Sequence, residues 1–456
     1  MQRTGKRIKN IISIIIMVIA IIAVVIVYKK YYYNDFVKSV KQTNITKFTR
    51  DSEVTTGQAS SYKIENTDYN DAMFYQTINV TPNTPYKVTC KIKTEGISNE
   101  TNMQNGGAHI SLVGTTVRTV PITGTNDWQE VTLLFNSQNN TQASIGFRLG
   151  GYEDSSKGIA WFSDFKVETG VTSNEKTWKF VCFIFPKIDV DVTINGRQEH
   201  VNLTMSDNDI QDIRTNIGRF QSSVQSMAKN KMKAEYEIIT INEPIKTLSY
   251  DEENGYYVSE TDVYQLTHQY VKQKEYDHIY VAIRMADKQQ GSNTLINDWI
   301  GLGGMDYTGI GYSNIRLPDD EQNYAYKFNY QFNTFPEEVF IHEFLHTLER
   351  NAKEYGYQIP ALHDYAKYGY SEQNLTGLKQ WYEDYMNCNI SYQGKKIGLP
   401  AEVYQYKPVH ESNFKYSYQL EVFQEPKNLV EIVKGLFRQV QKLFTYVKDE
   451  NVEIAK

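Results

Sequence analysis

The run His342-Glu343-Phe344-Leu345-His346 carries the residue types of a hydrolytic metal site at a spacing that brings them together. On a helix, residues four apart lie on one face about one turn apart, so both imidazoles can hold one tetrahedral zinc ion. Glu343, beside the first imidazole, is then placed to take a proton from a water at the metal's open position. Only 8 of the 456 residues are His, which makes a chance match on an amphipathic helix the weaker explanation.

A helix must present these groups, and its signals flank them. Thr334 and Glu337 have capping-box spacing, and Pro336 falls in the first turn, where a missing N–H costs nothing. The pattern predicts a helix from about residue 335 to about residue 354, ended by Gly356 as a left-handed C-cap. Ile341, Leu345, Leu348 and Ala352 make a buried stripe, and His342 and His346 lie about 100° round from it. One face belongs to the core and another is left for chemistry.

HEFLH is the motif of the zincin metallopeptidases, and within the domain 177–456 about 230 residues resemble their catalytic domains, with only this motif specific. The metzincin continuation would place Gly at position 349 and His at 352, but the chain has Glu349 and Ala352. The layout is more similar to the gluzincins, in which a second helix supplies a Glu as third ligand. Here IPALHDYAKYGY reads as a short helix after Pro360, and it carries His363 17 residues beyond His346. His363 is the first choice for the third ligand; Asp364, Glu349, Glu372 and Glu383 are the alternatives. Glu349 is better placed to orient a ligand than to be one. Tyr368, Tyr370 and His410 are unranked candidates for assisting an oxyanion. The resemblance implies zinc as cofactor, His342 and His346 as ligands, Glu343 as the catalytic base, and a protein or glycoprotein substrate.

The start of the chain sets where such chemistry would happen. Ile11 to Tyr28 is apolar apart from Ser13, just long enough to span a bilayer core. Arg3, Lys6, Arg7 and Lys9 precede it and only Lys29 and Lys30 follow closely. Residues 1–30 therefore read as a cytoplasmic stub and transmembrane signal anchor, making a single-pass cell-membrane protein with an extracellular catalytic domain. The following YKKYYYNDF shows no small-x-small cleavage site, which favours an anchor over a removed signal peptide. Residues 31–45 read as a juxtamembrane stalk.

A net charge of -6, with no basic run beyond the N-terminal flank, argues against a nucleic-acid partner. Cys90, Cys182 and Cys388 match no zinc motif and cannot all pair. Residues 46–170 are rich in Thr, Asn and Gly, and six words read as strands: PYKVTCKIKT, AHISLVG, TVRTVPI, QEVTLLFN, ASIGFRLG and AWFSDFKVE. Their spacing predicts an antiparallel sandwich. GTNDWQEV and GIAWFSDFKVE in particular resemble carbohydrate-binding modules with the galactose-binding-like jelly-roll fold, over about 120 residues. The resemblance implies a glycan or polysaccharide ligand; a rigid spacer is the plainer reading. Trp128 and Trp161 fall inside the framework words and are expected in the core. Asp164 suits either a structural calcium or an ordinary turn.

At Trp178 the pattern becomes mixed α/β. KFVCFIFPKIDVDV reads as one buried strand, YEIITIN and DHIYVAIRM as two more, with helices over 210–227 and about 261–273 between them. WIGLGGMDYTGIGYSNIRL then reads as an edge strand, whose Gly301, Gly303, Gly304, Gly309 and Gly311 permit close backbone approach by an extended substrate. Met386 is either a turn beneath the metal or, more simply, a core residue of the helix LKQWYEDYMN. A C-terminal amphipathic helix is expected over about 428–449. The fold class is thus multidomain: a transmembrane helix, a jelly-roll β-sandwich, and an α/β zincin-like domain. Three functions fit: an extracellular zinc metallopeptidase, a catalytically silent carbohydrate-binding or adhesion protein, and a zinc hydrolase of cell-wall amide bonds.

Overall fold

The computed structural model describes residues 36–57, 60–101, 105–172, 175–271, 275–285, 295, 299–317, 336–371, 375–414 and 419–420. The anchor over residues 11–28, Thr334, Glu372 and the C-terminal segment 428–449 lie outside the described residues. Among the described residues no helix is long and apolar enough to cross a membrane.

The first unit is an antiparallel sandwich of β1 (Val37–Val40), β2 (Thr46–Asp51), β3 (Ser61–Asn70), β4 (Ala72–Asn79), β5 (Pro85–Asn99), β6 (Ala108–Leu112), β7 (Gly124–Asn136), β8 (Gln142–Leu149) and β9 (Ser156–Thr169). One sheet has the order β1-β4-β8-β6, and the facing sheet runs β2-β3-β9-β5-β7. Alternation along β4 buries Phe74, Gln76 and Ile78 and turns Thr77 and Asn79 outward, the period of a strand with one wet face. Ile64, Val88, Ile92, Phe147 and Phe162 fill the space between the sheets.

Two sequence expectations fail in this unit. The segment 31–45 is not a stalk along its whole length, because Phe36 packs against Tyr62, Phe74, Phe147 and Phe165, and Val37–Val40 pairs with β4. A four-residue polar strand has no periodicity to announce it; the free edge of β4 captures it. TVRTVPI is not a strand, and only Arg118 and Ile122 form isolated bridges to β6. Its backbone still bonds to β6, as where the Thr119 N–H donates to the Ile110 carbonyl at 2.8 Å, but the Arg118 N–H donates instead to the Tyr307 carbonyl of the second unit at 2.7 Å.

The second unit begins with β10 (Thr177–Ile184). Pro186 then breaks what reads as one long strand, and β11 (Lys187–Ile194) and β12 (Arg197–Thr204) form a separate hairpin. Its turn is Asn195-Gly196, both left-handed at φ 49° and 76°, as a tight hairpin requires. Next come α1 (Asp207–Met227), β13 (Lys233–Thr240), the small pair β14 (Ser249–Asp251) and β15 (Gly255–Tyr257), α2 (Glu260–Val271) and β16 (His278–Ile283). The glycine-rich segment makes two strands rather than one edge strand: β17 (Gly301–Met305) and β18 (Gly311–Arg316). The sheet order is β13-β10-β16-β18-β17, parallel except for β17, which runs antiparallel along the edge. Helices on both faces explain why β10 and β16 are almost continuously buried. α1, α3 (Glu338–Glu354) and α4 (Leu375–Met386) share a core with one face, and Val263 and Val271 of α2 belong to the core on the other.

Candidate metal centre

α3 starts at Glu338, three residues later than the sequence pattern suggests, and Glu337 makes no side-chain cap bond. Its buried stripe is Ile341, Leu345, Leu348 and Ala352. At the far end Gly356 is left-handed at φ 84°, its N–H bonds to the Lys353 carbonyl, and the Tyr357 N–H bonds to the Ala352 carbonyl. This pair of bonds is a Schellman stop, and it turns the chain back toward the helix. The returning segment is clamped by α4: Trp381 Nε1 donates to the Leu362 carbonyl at 3.0 Å and the Tyr385 hydroxyl to the Pro360 carbonyl at 3.1 Å. His363 is thereby delivered from a turn just before a short 3-10 turn, Tyr365–Tyr368, and not from the second helix that the sequence suggests.

The three imidazoles converge. Nε2 of His342 stands 3.1 Å from Nε2 of His363 and 3.2 Å from Nε2 of His346, and the remaining edge is 3.1 Å. Nitrogen ligands about 2.0–2.1 Å from one tetrahedral ion lie about 3.3 Å from each other, so the triangle has the dimensions of three ligands to one zinc. The donor chemistry fits as well. Burial holds His342 down to about 3, helped by His346 and His363, and burial also lowers His363, which favours the neutral form with a free lone pair in both rings. Among the described residues this trio is the group of His, Cys, Asp or Glu side chains able to share an ion.

Each helix histidine is held from behind. Glu349 Oε2 accepts from His346 Nδ1 at 3.2 Å, while its Oε1 accepts from Lys353 at 2.7 Å and from the Leu362 N–H at 3.4 Å. Glu349 therefore ties one imidazole to the segment that carries another. Burial works to raise its pKa, but the bonds from His346 and Lys353 outweigh it and hold the group down to about 2. Nδ1 of His342 lies 2.9 Å from the Tyr382 hydroxyl, which donates in turn to Glu338. Burial pushes Glu338 up to about 7. Sequence reasoning missed both Tyr382 and Glu338. The i, i+4 spacing of Glu338 and His342 was a signal for one; nothing local marks Tyr382.

Glu343 is 4% exposed, and its Oε2 has no hydrogen-bond partner among the described residues. Burial, with Glu338 adding to it, pushes the carboxyl up to about 8. Strand β17 lies directly on this group: a Cβ at Gly301 would stand 2.6 Å from Glu343 Oε1, and one at Gly303 2.6 Å from Oε2. Arg350, two turns along α3, pins the strand by donating to the Gly304 carbonyl at 2.8 Å. The Ile300 carbonyl accepts from the Arg316 N–H and the Asp306 N–H donates to the Ile310 carbonyl, so by alternation Gly301, Gly303 and Met305 turn their N–H and C=O groups to the edge that no described strand pairs.

The other candidate residues sit elsewhere. Asp364 accepts from Lys367, and Glu383 is half-buried on α4 outside the histidine cluster. The Tyr370 hydroxyl is engaged by Asp384, Tyr368 stacks on Trp381, and His410 bonds to the buried Asp277 at 2.8 Å. Met386 is a fully buried core residue. In the sandwich, Trp161 is buried with Nε1 donating to Asp51, whereas Trp128 is only half-buried on the edge strand β7. Asp164 is paired with Lys91 at 2.9 Å.

No family model matches the chain. No curated protein matches it either. Among solved structures, TmCBM61 in complex with β-1,4-galactotriose is similar over 31% of this chain and 92% of that one, at 12% identity and a TM-score of 0.21. A family 11 carbohydrate-binding module from Clostridium thermocellum, in complex with a β-1,3-1,4-mixed-linked tetrasaccharide, is similar over 29% of this chain and 88% of its own, at 8% identity and a TM-score of 0.19. The enzymatically active domain of bacteriophage CBA120 tailspike protein 4 is similar over 31% of this chain at 14% identity and a TM-score of 0.23, and the match covers 20% of its length.

Proposed function

We propose that this chain is a membrane-anchored extracellular zinc metallopeptidase that hydrolyses peptide bonds of surface or extracellular proteins and glycoproteins. The observation that carries the reading is the triangle of three Nε2 atoms with edges of 3.1–3.2 Å beside a buried Glu343 oxygen that has no hydrogen-bond partner among the described residues. His342, His346 and His363 would hold the ion. Zinc, when bound, supplies a Lewis acid that acidifies water and polarises a carbonyl.

The remaining steps belong to the protein. With a cation bound beside it to favour its ionised form, Glu343 would take the proton from the attacking water and return it to the leaving amine, one carboxylate serving as base and then acid. An extended substrate lies antiparallel to β17, paired with the outward backbone groups of Gly301, Gly303 and Met305, which sets its scissile bond over Glu343. The dry setting of Glu343 keeps bulk water from competing for that proton.

The sandwich supports a second, compatible role in binding a glycan or polysaccharide. Its support is the pair of facing antiparallel sheets and the framework words in β7 and β9. A catalytically silent carbohydrate-binding protein and a hydrolase of cell-wall amide bonds are the competing functions. The deciding experiment measures zinc content and hydrolysis of protein, peptide and cell-wall substrates by the full-length chain purified in detergent. Zinc held without cleavage of any of them would favour the silent binder. Digestion of intact cells from outside tests the orientation: fragments beginning after residue 30 are expected, with the anchor retained after a high-salt wash.

A further inference from the structure

We propose that Tyr382 and Glu338 form an ordered relay that sets His342 in the tautomer able to hold a metal, an inference that rests on the metal-site reading above. Tyr382, on α4, stands between the other two groups: its hydroxyl lies 2.9 Å from His342 Nδ1 and is hydrogen-bonded to Glu338 Oε1. Tyr382 and Glu338 are both buried. The order of protons along this line is constrained, because a tyrosine hydroxyl has one hydrogen and donates to one neighbour only.

Two orders are available. If Tyr382 donates to Nδ1, the imidazole hydrogen sits on Nε2 and points at the nitrogens of His346 and His363, and no lone pair is left for an ion. If Tyr382 donates to Glu338, its oxygen accepts the Nδ1–H, and the Nε2 lone pair faces the other two imidazoles. Ionised, Glu338 can only accept and so selects the second order, and a cation held at His342 would favour that ionised form. His346 is set separately, since Glu349 accepts from its Nδ1 directly. Two carboxylates of one helix thus orient its two histidines, one through a tyrosine borrowed from α4 and one in direct contact. Tyr382 and Glu338 are positioning residues: they touch neither the ion nor a substrate.

The test uses the full-length chain in detergent, stripped of metal, with zinc affinity read by chelator competition and cobalt(II) absorption as a report on coordination geometry. Tyr382→Phe removes the acceptor of the half-buried His342 Nδ1–H and is expected to weaken zinc about 10–100-fold and to alter the cobalt spectrum. Glu338→Gln, whose amide can donate to Tyr382 and reverse the order, is expected to weaken zinc in the same direction. Unfolding midpoints of the metal-free proteins separate this from a packing role, which would lower the midpoint and leave the folded protein's affinity unchanged. Affinities of both variants within about twofold of wild type would overturn the relay and leave the metal site standing. A wild-type chain that holds neither zinc nor cobalt would overturn the metal reading itself.

Discussion

Glu343 lies directly under Gly303, so close that a Cβ on Gly303 would stand 2.6 Å from its Oε2. Gly301 meets Oε1 in the same way, whereas a Cβ at Gly304 would meet nothing within 4 Å. The edge strand can lie over the proposed base only because two alternate positions have no side chain. Gly303→Ala should therefore push Glu343 or the strand aside, costing about 1–3 kcal/mol of stability and on the order of 10²-fold in turnover. Gly304→Ala should change neither strongly. Unfolding midpoints and kcat for the two variants make the comparison, and equal effects would refute this account of the glycines.

Glu343→Gln should keep zinc and the fold while losing ~10²–10⁴-fold in hydrolysis. The amide fits the same space but cannot accept the proton at neutral pH. The loss should fall on kcat more than on KM, because the group acts on the reacting water and not on bound substrate. Hydrolysis by the variant at close to the wild-type rate would rule out the proposed mechanism.

His363→Ala should remove a third of the metal's protein ligands and abolish stoichiometric zinc at micromolar protein. Glu349→Ala should be milder, about 10–100-fold in affinity, since it orients His346 and supports the Leu362 backbone without touching the ion. Elemental analysis after equilibration with zinc checks both. Full zinc retention by His363→Ala would hand its place to another ligand.

Away from the site, Asp209 offers a pH test of the fold. Burial alone would raise its pKa, but the Ser206 N–H and the Arg284 guanidinium, 2.6 Å away, outweigh it and hold the group below its usual 3.8. A carboxyl lowered on folding contributes stability above the unfolded value and loses it as pH falls through the folded one. Asp209→Asn should thus cost about 2 kcal/mol at neutral pH, and the gap should close as the wild type is titrated below about pH 4. Denaturant unfolding at several pH values reads this out; a gap that stays constant into acid would contradict it.

Much of the architecture is legible in local sequence. Apolar spacing locates α1 and α3, Gly356 ends α3 where expected, and turn residues separate β5 to β9. These signals are short-range: helix period, caps and turns are set by residues within a few positions of each other. The pairing of His342, Glu343 and His346 on one helix is of the same kind.

The rest depends on contacts between distant segments. His363 meets the other imidazoles because Trp381 and Tyr385 clamp the chain returning from Gly356. Tyr382 reaches His342, and Gly303 covers Glu343, only after α4 and β17 have docked on α3. Likewise Val37–Val40 becomes a strand because β4 leaves an edge to fill. The sequence by itself determined which elements form and which two histidines and carboxylate share a face. Which third histidine completes the triangle, what lies behind each ring, and what covers the carboxylate were decided by packing, because those partners are far apart in the chain and no local periodicity encodes them.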